Sequence, residues 1–210
     1  DWQNPIIGHM QHNLRDPSRD RLHGRIYRVS ADGRQPSQSP KIAGESVENL
    51  LKLLAHPEDR VRYRAKVELG GRTTEEVVPA VQAWAAKLGE KDKDFEHNRL
   101  EALWLHQYHN TVNADLMKAV LKSPVYQARA AAVRVLWAWR DRVPEALELL
   151  KVAAGDDHPR VRLEAVRAAS YLTVPEAAEV VFIAQDKPAD QFVDHVAKET
   201  MKALTPIVNK

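Results

Sequence analysis

Cysteine is absent from all 210 residues. That excludes disulfides, thiolate metal sites, a cysteine nucleophile and a covalently attached c-type haem within this chain. It is compatible with any compartment. No run of 18 apolar residues occurs, so no stretch reads as a membrane-spanning helix. The eight glycines are scattered at stops. They form neither a phosphate-cradling loop nor a Gly-x-Ser-x-Gly nucleophile elbow. An excess of one charge is missing too: 31 basic against 29 acidic residues leave a formal charge of +2. A dedicated nucleic-acid binder would show a strongly basic balance. The opening Asp1-Trp2-Gln3-Asn4-Pro5 is neither a signal peptide nor a natural start. The expectation is a chain processed or excised from something longer.

What is present is a repeat. Asp157-His158-Pro159 reads as a turn, and the residues after it as a helix. Val161, Ala165, Val166, Ala169 and Leu172 share one face of that helix. Arg99-Leu100-Glu101-Ala102-Leu103 matches Arg162-Leu163-Glu164-Ala165-Val166. Ala128-Arg129 before Ala132-Val133 matches Val161-Arg162 before Ala165-Val166, and Val61-Arg62 before Ala65 and Leu69 keeps the same phase. The shared arginine falls at Arg62, Arg99, Arg129 and Arg162. A weaker fifth copy puts Asp194 there, with Val193, Ala197, Met201 and Leu204 as its apolar face. A period of roughly 30 to 37 residues with two helices per unit is the signature of an α-solenoid. The Pro-x-Val-Arg lead-in to the second helix resembles HEAT repeats, over about residues 45 to 205.

Ser46 is expected to cap the first helix, and Glu58 to Gly70 to form the second, stopped by Gly70-Gly71. Thr73 or Thr74 opens the next helix, and Phe95 to His109 is its partner. Asn113 caps Ala114 to Leu121, followed by Tyr126 to Trp139. Pro144 sits in the first turn of a helix ending near Ala154. Val174-Pro175 starts the last pair, which Pro206 ends.

The first 35 residues lie outside the repeat. His23-Gly24-Arg25-Ile26-Tyr27-Arg28-Val29-Ser30 reads as a strand, with Asp32-Gly33 as a turn after it. A lone strand leaves its backbone groups unpaired, so its partners are expected in another polypeptide or a larger β domain. Gln35-Pro36-Ser37-Gln38-Ser39-Pro40 reads as a linker. The expected fold is all-α: a HEAT-like α-solenoid of about five helix pairs, with an irregular N-terminal arm containing one short β-strand. The arm covers 1–35, the linker 36–44 and the solenoid 45–210.

The segment Asn4-Pro5-Ile6-Ile7-Gly8-His9-Met10-Gln11-His12-Asn13-Leu14-Arg15-Asp16-Pro17, continuing to His23-Gly24-Arg25-Ile26-Tyr27-Arg28-Val29, resembles the closing segment of a β-propeller. The propeller is that of large planctomycete-type membrane-bound dehydrogenases, which are similar to soluble glucose/sorbosone dehydrogenases. In that family a propeller binding pyrroloquinoline quinone precedes HEAT repeats, and a cytochrome c domain with a Cys-x-x-Cys-His motif follows. The resemblance implies an extracytoplasmic, periplasmic setting. It also implies pyrroloquinoline quinone and haem c in the parent protein, with neither cofactor in this chain. No catalytic residue is transferred.

Candidate chemistry is sparse. The row Arg62, Arg99, Arg129, Arg162 reads as a structural ladder to nearby carboxylates and carbonyls, or else as an anion-binding stripe. His9, His12 and His23 are weak metal candidates, because their context is irregular and no carboxylate completes a site. His106 and His109 read as a packed pair. Trp84 and Trp137 are expected in the core, and Trp139 at an exposed helix end. Trp104 with these tryptophans could stack bases, as in HEAT-like alkylpurine DNA glycosylases. The sequence favours a non-catalytic scaffold or docking module that links propeller and cytochrome c domains of a quinone-dependent dehydrogenase-like protein. The alternatives are a free-standing protein-binding solenoid, its arm adding a strand to a partner's sheet, and a DNA glycosylase. The expected partners are those domains or another protein, and not nucleic acid.

Overall fold

The computed structural model describes residues 17, 22–24, 26–30, 32–33, 38–188 and 190–209. The chain divides into two compact units, Asp1–Ser39 and Pro40–Lys210. In the first, the expected strand is not formed among the described residues. Gly24 makes an isolated β-bridge, and residues 26–30 have no regular secondary structure. Ile26 and Val29, apolar and β-branched, lie in solvent. Among the described residues no second strand completes a ladder with this one, and an apolar alternation alone does not form a sheet.

The second unit is an α-solenoid of five helix pairs. The first helices of the pairs are α1 (Val47–Leu53), α3 (Thr74–Ala85), α5 (Ala114–Leu121), α7 (Ala146–Ala154) and α9 (Ala177–Gln185). Their partners are α2 (Asp59–Gly70), α4 (Phe95–Tyr108), α6 (Tyr126–Trp139), α8 (Pro159–Ala169) and α10 (Gln191–Val208). Each second helix touches the next, so α2, α4, α6, α8 and α10 make one continuous layer. The repeat explains how. Three residues after each arginine-row position stands an alanine: Ala65, Ala102, Ala132, Ala165 and Ala197, each at most 1% exposed. With only a methyl group there, neighbouring helices close on one another. The core runs in two clusters that meet at α4. Ala102 and Leu105 face the cluster of the first two pairs, while Leu100 and Leu103 face that of the rest.

A side-chain hydrogen bond caps the start of four of the ten described helices. The Ser46 hydroxyl accepts from the Asn49 N–H at 3.3 Å, and Asn113 Oδ1 from the Leu116 N–H at 3.0 Å. Thr73 makes no such bond, and the Thr74 hydroxyl turns to His109 Nδ1 at 3.3 Å. Pro144 precedes α7, whose cap is Glu145. Gly70-Gly71 ends α2 as expected, with Gly71 at φ −82°, an ordinary right-handed value. Asn110 takes a left-handed conformation, at φ 53°, in the turn after α4. Arg142 clamps it, donating to the Asn110 carbonyl at 3.0 Å and to its side-chain oxygen at 2.7 Å. Pro206 does not end the last helix, which runs on to Val208. Its missing N–H leaves the carbonyl four residues earlier without a helical donor, and only two helical residues follow it.

Two tryptophans exchange their expected roles. Trp139 is buried, continuing the row Ala132, Leu136, and Trp137 is half-buried on the outer face of α6. The period of 3.6 separates them: 139 follows 132 and 136 into the core, while 137 follows the exposed Arg134.

Candidate interaction surface

The arginine row is held by one rule of register. Arg62 Nη1 donates to the carbonyls of His56 and Pro57 at 2.6 and 3.0 Å. Arg129 Nη1 donates to the Ser123 carbonyl at 2.8 Å. Arg162 Nη1 donates to those of Asp156 and Asp157 at 3.0 and 2.9 Å. Each arginine thus bonds the residue six places before it. Two of the three also reach forward into the following pair. Arg129 grips both carboxylate oxygens of Asp156, at 2.7 and 2.8 Å, and Arg162 Nη2 reaches the Pro188 carbonyl at 2.5 Å. Asp156 and Pro188 stand six residues before Arg162 and Asp194, so the forward contact repeats the same register. Arg99 departs from the rule. It pairs with Glu96 at 2.6 Å and lies 5.0 Å from the Phe95 ring centre.

The outer face of the second-helix layer carries a different chemistry. Two residues after the arginine position, α4 and α8 each hold a carboxylate, Glu101 and Glu164, only 2% and 3% exposed. Lys66 lies 2.5 Å from Glu101 and 4.2 Å from the centre of the Trp104 ring. Arg160 and Arg167 hold Glu164 at 2.8 and 3.1 Å. The Arg167 guanidinium lies 4.6 Å over Trp137, and the Tyr171 ring meets Trp137 edge-on at 5.2 Å. These are cation–π and edge contacts of ordinary geometry, with the aromatic edges still reaching solvent. Between α6 and α8 the surface opens into a groove of about 490 Å³, where Tyr126 stacks on His158 with ring centres 3.4 Å apart.

The near-neutral total conceals an uneven distribution. The second helices carry twelve Lys and Arg against seven Asp and Glu, and the first helices three against six. The solenoid is therefore electropositive along one layer and electronegative along the other.

The histidines occupy separate environments. His106 is buried and pairs with the Asn113 side chain at 3.1 Å. His109 bonds Thr74 and the Leu69 carbonyl, so the two do not act as one site. Burial holds both His106 and His97 below the usual imidazole value. At His97, Glu101 opposes that shift, while Arg62 and Lys66 add to it. His23 is exposed, and among the described residues no group of three possible metal ligands comes together. His9 and His12 lie outside the described residues.

The buried carboxylates, Asn98 and the His97 environment are what sequence reasoning overlooked. One signal was available: Glu101 and Glu164 sit at equivalent positions of the two best-matched repeats.

Among the described residues no helix is long and apolar enough to cross a membrane. Residues 113–202, from the cap of α5 into α10, match the family of HEAT repeats. No curated protein and no solved structure gives a match. The molecule thus carries a helical-repeat scaffold of the kind that binds other proteins.

Proposed function

We propose that the solenoid is a non-catalytic docking module and that the outer face of its second-helix layer is the docking face. The observation that carries this reading is the Trp137–Arg167–Tyr171 cluster, with Lys66–Trp104 as its counterpart two helices away. Tryptophan, tyrosine and arginine dominate the energetic centres of protein interfaces, where large rigid side chains bury area at low entropic cost. Glu164 and Glu101 hold the cations against the rings, so the face is preorganised.

The larger setting of this reading is a quinone-dependent dehydrogenase-like protein. The module would hold a propeller and a cytochrome c domain in fixed relation outside the cytoplasm, with pyrroloquinoline quinone and haem c bound by those neighbours. The resemblance of residues 4–29 to a propeller's closing segment supports it, as does the order of that segment before helical repeats. The coding sequence on either side is the test. An upstream six-bladed repeat and a downstream Cys-x-x-Cys-His would uphold the dehydrogenase setting. Their absence would leave a free-standing protein-binding solenoid. If the neighbours are found, Trp137→Ala with Tyr171→Ala should weaken their association with the solenoid while leaving its helicity intact. Unchanged association would overturn the docking face.

A DNA-directed enzyme is the reading that charge disfavours. Glu101 and Glu164 interrupt the basic layer where a phosphate backbone would track. Anisotropy of labelled duplex DNA at low salt should show no binding, and a salt-dependent rise would revive that alternative.

A further inference from the structure

Between the third and fourth helix pairs, Arg129 finds a carboxylate on the following pair, at the position six residues before the next arginine. Between the first and second pairs the equivalent position is Lys93, six residues before Arg99. The charge is reversed. Arg62, whose bonds go to His56, Pro57 and Asp59, thus shares its groove with a second cation, where Arg129 is paired with an acid. A groove of about 490 Å³ opens there, lined by Arg62, Lys93, His97 and Asn98.

We infer that this groove is a carboxylate-binding site, which takes an Asp or Glu side chain of a docked protein and holds it between Arg62 and Lys93. The inference rests on the docking reading above and names the chemistry of the partner. Asn98 supplies the second, independent observation. It is 8% exposed, its side-chain oxygen has no hydrogen-bond partner, and it lines the groove. Its counterparts Ala128, Val161 and Val193 are apolar core residues. A buried amide without a partner is costly, so a polar group replacing an apolar one at this position points to a ligand. Reorientation of that amide turns its N–H₂ toward an acceptor oxygen. His97 Nε2 is likewise buried without a hydrogen bond, 3.5 Å from Glu101. The acids nearby do not fill the site. Asp59 pairs with Arg62 and is 88% exposed, and Asp94, the residue before α4, also lines the groove, exposed and without a bond to Arg62. A bound carboxylate reproduces here the grip that Arg129 has on Asp156, and closes the one junction where a cation replaces the acceptor.

The test uses the whole chain and a short peptide carrying two glutamates, followed by NMR of the His97 ring and the Arg62 guanidinium. A saturable shift at both is expected, with the His97 pKa raised because a nearby anion favours the imidazolium. Lys93→Ala should weaken binding about tenfold, the loss of one charge-assisted contact. Lys93→Asp should abolish it and also raise the urea midpoint, since it provides the missing acceptor for Arg62 internally. No saturable shift in the parent chain overturns the inference. So do shifts that persist in Lys93→Asp, or saturation by inorganic phosphate without any by the peptide. The Trp137→Ala, Tyr171→Ala chain should bind the peptide normally. A docking partner that binds while the peptide does not would remove this site and leave the docking face standing.

Discussion

Arg129 and Asp156, 27 residues apart in sequence, are joined by two nearly parallel hydrogen bonds that tie the third helix pair to the fourth. Both side chains are largely withdrawn from water, at 19% and 13% exposure. Asp156 also accepts from the His158 N–H at 2.8 Å, so one carboxylate fixes the junction and the turn into α8. Asp156→Ala removes both functions and leaves a guanidinium half-buried. It should lower stability by about 2–3 kcal/mol in urea titration. A double-mutant cycle with Arg129→Ala should return most of that as coupling.

The same pair governs acid sensitivity. Burial pushes the Asp156 carboxyl up, but the Arg129 guanidinium and the His158 N–H outweigh it, and the net direction is down. The unfolded chain then binds the proton more readily than the folded one. The stabilisation is present above the ordinary carboxylate value and is lost as pH falls through the folded value. Asp156→Asn should flatten the acid limb of a stability–pH curve below about pH 4 relative to the parent chain.

Arg162 and Arg99 share a sequence position but not a role, and substitution should tell them apart. Arg162 is 2% exposed and satisfies three carbonyls on two repeats. A lysine places one compact charge where a planar fork is needed, so even Arg162→Lys should cost about 2 kcal/mol or more. Arg99 meets only a glutamate one turn earlier and the Phe95 ring. Arg99→Lys should change stability by less than about 1 kcal/mol. Equal losses at both positions would contradict a junction role particular to Arg162.

The period of the arginines and of the apolar faces was legible because every copy needs the same buried alanine and the same close approach. Helix caps at Ser46 and Asn113 were legible because each depends on one side chain and its own neighbours. The forward contacts were not. Asp157 lies five residues before Arg162, yet its carboxylate pairs with Lys187 and it offers Arg162 only its carbonyl. Which of two adjacent acids turns inward depends on the loop's conformation, and one sequence does not encode that in a visible period. Trp137 and Trp139 were misplaced for a related reason. Neighbours on an Ala-rich helix differ in burial only through phase, and α6 offers many small residues that blur it. The strand at residues 23–30 failed differently, since alternation describes what would suit a sheet and says nothing of whether a neighbour exists.

His106 predicts a second pH dependence, at near-neutral values. It occupies the position of Leu69 and Leu136 in other repeats and is 1% exposed. Burial lowers its pKa, although the Thr111 backbone works the other way. The unfolded imidazole therefore takes up a proton first as pH falls below about 6.5. Stability is full above that value and declines below it, toward the folded pKa. His106→Leu should reduce the loss between pH 7 and pH 5, by up to about 1.4 kcal/mol per pH unit within the window. His97, lowered in the same direction, should account for part of the slope that remains.

The alanine row makes the sharpest claim about architecture. Ala132 and Ala165 lie in the layer formed by α6 and α8, both without solvent exposure. If small size is what lets those helices meet, added volume must push them apart. A leucine at either position forces the backbones to separate or the side chain into a strained rotamer, at a cost of about 1–3 kcal/mol. The effect should also reach the junction beside it. Widening the α6–α8 spacing stretches the grip of Arg129 on Asp156, so Ala132→Leu should reduce the coupling measured in that double-mutant cycle. Ala131, half-buried on the outer face three residues before Arg134, is the control, because a leucine there projects toward the groove. Ala131→Leu should leave the coupling unchanged. A loss of stability at Ala132 with coupling intact would mean that the layer yields locally. The methyl row would then be a packing convenience rather than the determinant of helix spacing.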